Sequence, residues 1–350
     1  MDNSIKKDSP VVSIIVPCYN MEKKIHRLME SLIRQTYKNL QLIFVNDGSV
    51  DKTLDVILSY KEKLLLQGLD FHCVTIQNRG LGGAINTGLK LVKGEYFCWP
   101  DADDYLTDDS VEKKLRFLES HPEYGIVRSD ARLYLEDDLE HPIGTLTGGY
   151  KDRFKETDLM EDYILENHAL LCPGCHMIRT SSFKEVCPDM DIFEGRGGQN
   201  HQLLLPMCYM FKFGYIDECL YNYVIYKSSM TQRYKTFEDL VGKCAEGELY
   251  ITETLKRIPM PKAEFDYYCE LTKQKYIVRR ALLAFDFGLK DEYWKERQLV
   301  KDARFLPMLN KADCFFKIPC GFFINNMLFK IKLLIKKSSF LYGIIKRMKG

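Results

Sequence analysis

Residues 317–350 contain no Asp or Glu, and no run of about 18 uncharged apolar residues occurs anywhere in the chain. Nor is there an excess of either charge, since 50 basic side chains face 49 acidic ones. The missing apolar run excludes a spanning helix. The near-zero net charge of +1 excludes the global basic surplus of a nucleic-acid binder. Met1–Lys7 has no apolar core of the kind that marks a secretory signal. Read with that start, the 12 cysteines imply reduced thiols in a cytosolic setting. No G-x-x-x-x-G-K-[ST] is present, which excludes a P-loop ATPase. Gly80-Leu81-Gly82-Gly83 lacks the spacing of a dinucleotide fingerprint and follows the third expected strand rather than the first.

One cysteine pair needs separate treatment. Cys172-Pro173-Gly174-Cys175-His176 matches the redox and haem-attachment patterns. Haem attachment requires export, zinc would want a second close pair, and a thioredoxin-like motif would follow the first strand of a small domain. The remaining reading is a buried Pro-Gly turn.

What is present is a rhythm of strands and helices. Val11–Val16 and Leu42–Val45 are β-branched or apolar runs of the kind buried on both faces of a parallel sheet. Phe71–Ile76, Glu95–Trp99 and Gly125–Arg128 are further strands, and the run Val11–Val16 breaks at Pro17. Between them, Met21–Thr36, Thr53–Leu66, Ala84–Val92 and Asp109–Ser120 carry helical periodicity, with Gly94 stopping the third. Such alternation means βαβ units and an α/β fold, a mostly parallel sheet with helices on both faces. Right-handed crossovers then put the strand-end loops on one edge. Tyr19, Asn46, Asp47, Arg79 and Asp103 are thereby brought together. An aromatic ring can stack on a base, Asn46 and Asp47 can hydrogen-bond a base or ribose, and a guanidinium can pair a phosphate.

The fourth of these loops, Trp99-Pro100-Asp101-Ala102-Asp103-Asp104, packs three carboxylates into four residues. Like charges this close raise one another's pKa, and a cation relieves the repulsion. Hard oxygen ligands suit Mg²⁺, Mn²⁺ or Ca²⁺. A solvated acidic turn is the plain alternative. An EF-hand is excluded because Leu106 stands where its loop needs Gly.

These blocks resemble family 2 glycosyltransferases of the GT-A fold. The likeness is carried by Val12–Asn20, Ser31–Tyr37, Asn46–Asp51, Asn78-Arg79-Gly80 with Ala84–Gly88, Gly94-Glu95-Tyr96 and Asp101–Asp104, and it covers roughly residues 10 to 230. It implies an inverting transfer from a nucleotide-sugar, usually UDP-linked, to a glycan or lipid-linked glycan acceptor in surface-polysaccharide synthesis. It also implies donor binding by Pro17, Tyr19, Asn20, Asn46, Asp47, Arg79, Asp101 and Ala102. Asp101 and Asp103 would form a metal motif for Mn²⁺ or Mg²⁺, with Asp103 the direct ligand. Two departures stand out. Asn46 replaces a usual Asp, and Asn200 occupies the slot of the catalytic base, where an amide cannot accept a proton. Glu194 and His201 are the replacement candidates, with Asp191 behind them, in the stretch that leads into a helix over Gln202–Phe211. Within enzymes the rival is a nucleotidyltransferase, which would want a Gly-rich basic loop after the first strand. A non-catalytic nucleotide-sugar or glycan binder is the alternative from another class.

From Tyr234 onward the alternation stops, and Phe237–Arg257, Glu264–Phe287 and Glu292–Val300 read as helices. The expected organisation is an N-terminal tail (1–10), a GT-A domain (11–232), a helical extension (233–315) and a tail (316–350). The domain divides into a nucleotide-sugar half (11–130) and an acceptor half (131–232). The acid-free tail alternates Lys with Phe, Leu and Ile, which fits an anionic membrane surface. The expected location is therefore peripheral, at the cytoplasmic face of a membrane.

Overall fold

The computed structural model describes residues 9–227 and 234–317. They divide into two compact units. The first comprises residues up to Ile225 together with Glu253–Met260, and the second comprises Tyr226–Thr252 and the residues from Pro261.

In the first unit the chain runs β1 (Val12–Cys18), α1 (His26–Arg34), β2 (Leu40–Asp47), α2 (Thr53–Ser59), α3 (Lys61–Leu66) and β3 (Asp70–Ile76). It continues through α4 (Gly80–Leu91), β4 (Tyr96–Cys98), β5 (Tyr105–Leu106), α5 (Ser110–Ser120), β6 (Tyr124–Leu135) and β7 (Gly144–Thr145). Then follow α6 (Met160–Leu165), β8 (His176–Arg179), α7 (Thr180–Val186), α8 (Gln199–Met210) and β9 (Lys212–Ile225). Among the described residues these strands make one nine-stranded sheet, ordered β3-β2-β1-β4-β8-β6-β9-β5 with β7 beside β6. β1 pairs parallel with β2 and β4, and β2 with β3. β8 is antiparallel to both β4 and β6. Two reversals restore direction, so β6 and its parallel partner β9 run the same way as β1–β4.

β1 and β2 are buried along almost their whole length, which is why their sequences are uninterrupted apolar runs. β1 does not end at Pro17 but continues to Cys18. β4 pairs only with Val12–Ile14, leaving β1 without a second neighbour at Pro17, and a missing N–H is tolerated at such an edge. The helix expected over Met21–Thr36 is confined to α1, with turns before it, and the one expected over Thr53–Leu66 breaks at Tyr60. Gly80–Gly83 is the first turn of α4 rather than a loop. A Cβ on Gly82 would lie 2.8 Å from Gly195 N, so the glycines admit the 193–196 segment against the helix. Gly94 has a similar role. Its Cβ would meet Val11 O at 2.6 Å, so close approach of backbone, not helix capping, calls for glycine there.

β5, β7, β8 and β9 were not read from the sequence. β9 carries register shifts against β6 around Ser129–Ala131, which scramble its period of two.

The second unit is helical, with α9 (Phe237–Leu255) beginning in it, followed by α10 (Lys262–Asp286), α11 (Lys290–Arg297) and α12 (Leu306–Lys317). Its core gathers Phe285, Tyr293 and Phe316, with ring centroids 5.1–6.4 Å apart. Beside them Arg297 pairs with Asp313 at 3.0 Å. No helix among the described residues is long and apolar enough to cross a membrane. The basic tail lies outside the described residues beyond Lys317.

Candidate active site

The loops that follow β1, β2, β3 and β4 leave one edge of the sheet, and cross-bonds join them. Asn20 N–H donates to Ser49 Oγ at 3.1 Å, and Asn20 Oδ1 accepts from Val50 N–H at 3.0 Å. Asn20 sits at φ 54°, in the left-handed region that asparagine tolerates better than most residues. Asp47 Oδ1 accepts from Arg79 N–H at 2.7 Å, and its carbonyl accepts from Asn78 Nδ2 at 3.0 Å. Asn46 accepts from Ser49 N–H at 3.2 Å and donates to Thr75 Oγ1 at 3.3 Å. Asn46 and Asp47 are buried and build the loops from inside, whereas the Tyr19 ring is 41% exposed. Pro17 and Ala102 carry no donor or acceptor on their side chains, and Ala102 packs into the core beneath the acidic loop.

The acidic loop is held from behind. Trp99 is buried and stacks on His176, with centroids 6.0 Å apart and planes 16° apart. Its Nε1–H donates to Asn200 Oδ1 at 3.3 Å. Asp101 N–H donates to Tyr221 Oη at 3.2 Å, and Asp104 Oδ1 accepts from Val224 N–H at 2.8 Å. Burial, and after it the charge of Asp103, pushes Asp101 up to about 7. Asp104 is raised well above the usual carboxylate range by burial and then by both neighbours. Asp103 is raised by burial, with Lys24 opposing the shift from an Nζ 3.6 Å from Oδ2.

Carboxylates this reluctant to ionise together are stabilised by a cation. Among the described residues, however, no group of three or more His, Cys, Asp or Glu converges as a cage. Carboxylate oxygens are the donors that a hard cation such as Mg²⁺ takes, and the acidic loop supplies them at the sheet edge.

The three base candidates fall in different places. Glu194 is ion-paired with Arg79, so the sheet edge does reach it. Both side chains are about half exposed, at 49% for Arg79 and 47% for Glu194. The segment carrying Glu194 is fixed along α4. Asn86 brackets Ile192 with bonds of 2.8 and 2.7 Å, and Gly82 N–H donates to Gly195 O at 2.8 Å. Asn200 has both ends of its amide engaged, with Trp99 and with Leu171 O. His201 faces α6, with Nε2 3.2 Å from Tyr163 O and 3.8 Å from Glu166 Oε1. Asp191 is paired with Arg257 at 2.9 Å.

Three contributors escaped the sequence reading: Lys24, Tyr221 and Lys114. Lys114 is buried on α5 and donates from Nζ to Gly174 O at 2.7 Å, and its burial lowers its pKa. Gly174 in turn lies flat against the Tyr221 ring, where a Cβ would come within 1.9 Å of a ring carbon. The Cys172–Cys175 motif is thus the buried turn expected, shaped to seat the tyrosine that meets Asp101. A polar residue inside a helical stripe or a strand tyrosine gives no sequence signal of such a role.

Comparison with known proteins follows the same outline. The family described as "Glycosyl transferase family 2" matches residues 13–187, a span that holds all four loops. An uncharacterized glycosyltransferase of Rickettsia typhi is 42% identical over 110 residues, 31% of this chain and 32% of that protein. The UDP-Glc:alpha-D-GlcNAc-diphosphoundecaprenol beta-1,3-glucosyltransferase WfaP of Escherichia coli is 33% identical over 129 residues, 37% of this chain and 48% of that protein. The matches thus span about a third to a half of the length of these curated relatives. Among solved structures, S. aureus TarS 1-349 in complex with UDP-GlcNAc aligns with a TM-score of 0.61 at 19% identity, over 94% of this chain and 92% of that one. The mannosyltransferase PcManGT from Pyrobaculum calidifontis, in complex with GDP-Man and Mn2+, aligns at 0.50 and 14% identity, over 94% and 87%. These likenesses show a shared fold, the GT-A arrangement of a curled sheet flanked by helices.

Proposed function

The chain belongs to glycosyl transferase family 2, and from that premise we propose that it moves a sugar from a UDP-sugar to a hydroxyl of a glycan or lipid-linked glycan acceptor, with inversion, in surface-polysaccharide synthesis. The observation that carries this reading is the meeting, at one sheet edge, of an exposed Tyr19, the Asp47–Arg79 linkage and the acidic loop. The UDP-GlcNAc bound to TarS supports the donor class, and the lipid-linked substrate in the name of WfaP supports the acceptor class.

In this reading residues 11–232 are the transferase domain. Tyr19 stacks on the base, with Pro17, Asn20 and Asn46 shaping the floor around it. Asp47 positions Arg79 by accepting its N–H, and the guanidinium pairs the diphosphate. Asp103 and Asp101 would hold Mn²⁺ or Mg²⁺, and Ala102 keeps their loop seated in the core. The cation supplies charge neutralisation to the leaving diphosphate. Glu194 accepts the proton of the acceptor hydroxyl, and it becomes free to do so when a diphosphate replaces it as the partner of Arg79. His201 is the second choice because its ring is engaged with α6.

The test is UDP release and product formation with UDP-sugars and Mn²⁺. Glu194→Gln is expected to lower transfer by about 10²-fold or more while UDP affinity is kept. Transfer at the wild-type rate would remove Glu194 from the base role. UDP binding without turnover on any acceptor would instead favour the binding-module reading, which the amide at position 200 supports.

Association with the membrane is the remaining part of the proposal. The full chain should float with vesicles rich in anionic lipid and not with neutral ones, because each basic residue near such a surface contributes about 1 kcal/mol. Equal flotation on both would count against a basic-tail anchor.

A further inference from the structure

On the second half of the sheet a cleft of about 230 Å³ is walled by Asp130 on β6, Thr145 and Thr147 at β7, Arg153, and Asp217 and Glu218 on β9. The ladder is irregular here. Ser129 pairs with Ile216 but Asp130 pairs with Cys219, so Asp217 and Glu218 bulge out of register. Bulges of this kind re-aim side chains and recur beside functional sites.

The walls are pre-organised. Asp130, 7% exposed, accepts from Ala131 N–H at 2.8 Å, Thr147 N–H at 3.1 Å and Thr147 Oγ1. Arg153 staples the opposite side, donating to Gly149 O at 2.8 Å, Tyr150 O at 2.7 Å and Asp217 Oδ1 at 3.3 Å. Its guanidinium carbon lies 4.2 Å from the centroid of Phe154, whose ring is 49% exposed. Two of the three acids are paired, Asp217 by Arg153 and Glu218 by Lys113, while Asp130 is held by neutral donors alone. What the cleft offers is therefore a dense set of fixed hydrogen-bonding groups that includes a carboxylate without a cationic partner in the cleft, beside a half-exposed aromatic ring. A carboxylate and threonine hydroxyls suit the hydroxyls of a neutral polyhydroxylated ring better than an anion. The volume also falls below the ~300–1,000 Å³ typical of sites for larger ligands. Cys219 in its wall precedes Tyr221 by two residues, about 7 Å along the strand, and Tyr221 Oη meets the Asp101 N–H.

We propose that this cleft is a saccharide subsite, holding one sugar ring of the acceptor through its hydroxyls. That the sugar belongs to an acceptor rests on the transferase reading above; that a sugar binds in the cleft does not. The test is saturation-transfer NMR on the full chain with free glucose, galactose, mannose and N-acetylglucosamine in turn. At least one is expected to receive saturation from the protein. Thr145→Trp, an exposed strand position where a large aromatic is well tolerated, fills the mouth and should cut the signal by about five-fold or more, a loss near 1 kcal/mol. Glu218→Gln, also exposed, should lower it with the fold unchanged, and it carries the test if the tryptophan variant fails to fold. UDP affinity in the presence of Mn²⁺ should be unaltered in both. No signal from any of the four sugars, or equal signals from wild type and both variants, would overturn the subsite. A sugar signal that responds to these variants in a protein that binds no UDP would overturn the donor reading and leave the subsite supported.

Discussion

Asp103→Asn is expected to reduce sugar transfer by about 10³-fold or more, the scale of some 4 kcal/mol of lost transition-state stabilisation. The amide keeps the size of the carboxylate but gives up the negative charge that a cation requires. The fold should persist, because the Asp103 side chain is part-exposed, at 28%, and not sealed in the core. The Asp103–Lys24 pair, part-exposed and 3.6 Å long, contributes little to stability. Asp104 is a different case. It is buried and tied to Val224 N–H, so replacing it would mix structural with catalytic loss. The comparison to make is turnover and Mn²⁺ titration of wild type and Asp103→Asn at matched thermal stability. Undiminished turnover in the variant would remove the metal assignment.

The second large effect is on stability against acid. His176 is fully buried. Nδ1 lies 2.9 Å from Cys172 O, so that nitrogen carries the proton, and Nε2 has no hydrogen-bond partner among the described residues. Burial first, then the nearby Arg128 charge, pushes its pKa down to about 3. An unfolded histidine takes up a proton near pH 6.5. Between those two values the unfolded chain binds the proton and the folded one does not, so folding weakens as pH falls. The slope for one such group is about 1.4 kcal/mol per pH unit, accumulating from pH 6.5 down toward 3. His176→Phe keeps a ring against Trp99 and cannot be protonated. Its unfolding free energy should gain on that of the wild type as pH falls across that window, by about 1.4 kcal/mol per pH unit, whatever its absolute value at pH 7 and on top of the opposite slope that the raised Asp101 and Asp104 give both proteins. Denaturant titrations at several pH values would decide it, and parallel pH slopes for the two proteins would refute the account.

How much of this could be read from residues alone follows a physical divide. Strands buried on both faces announce themselves as apolar runs, so β1, β2 and the order of the first four loops were legible, and with them the acidic motif. Local pairing rules also held for the long helices of the second unit. Illegible were features that depend on partners distant in sequence. Gly82 and Gly94 looked like loop and cap residues, yet each is required by a backbone more than 80 residues away. The bonds by which Asn46 and Asp47 tie the neighbouring loops together, to Ser49 and Arg79, likewise carry no signal in the sequence. Glu194 and His201 sit seven residues apart, but the fold gives one an arginine at the sheet edge and the other the back of α6. No spacing rule separates them.

The bonds from β9 to the acidic loop bear on how the protein is made. Asp101 and Asp104 are held by Tyr221 and Val224, each 120 positions later. A ribosome that has delivered residues 101–104 has not yet supplied their supports, and domains emerge N-terminus first. Until β9 arrives, the acidic loop lacks the two bonds that fix the Asp101 N–H and the Asp104 carboxylate. The family match ends at residue 187, so a fragment cut there would contain the motif and lack the strand that positions it. Assembly of the site is therefore a late event in the life of the chain, linked to closure of the sheet rather than to synthesis of the motif.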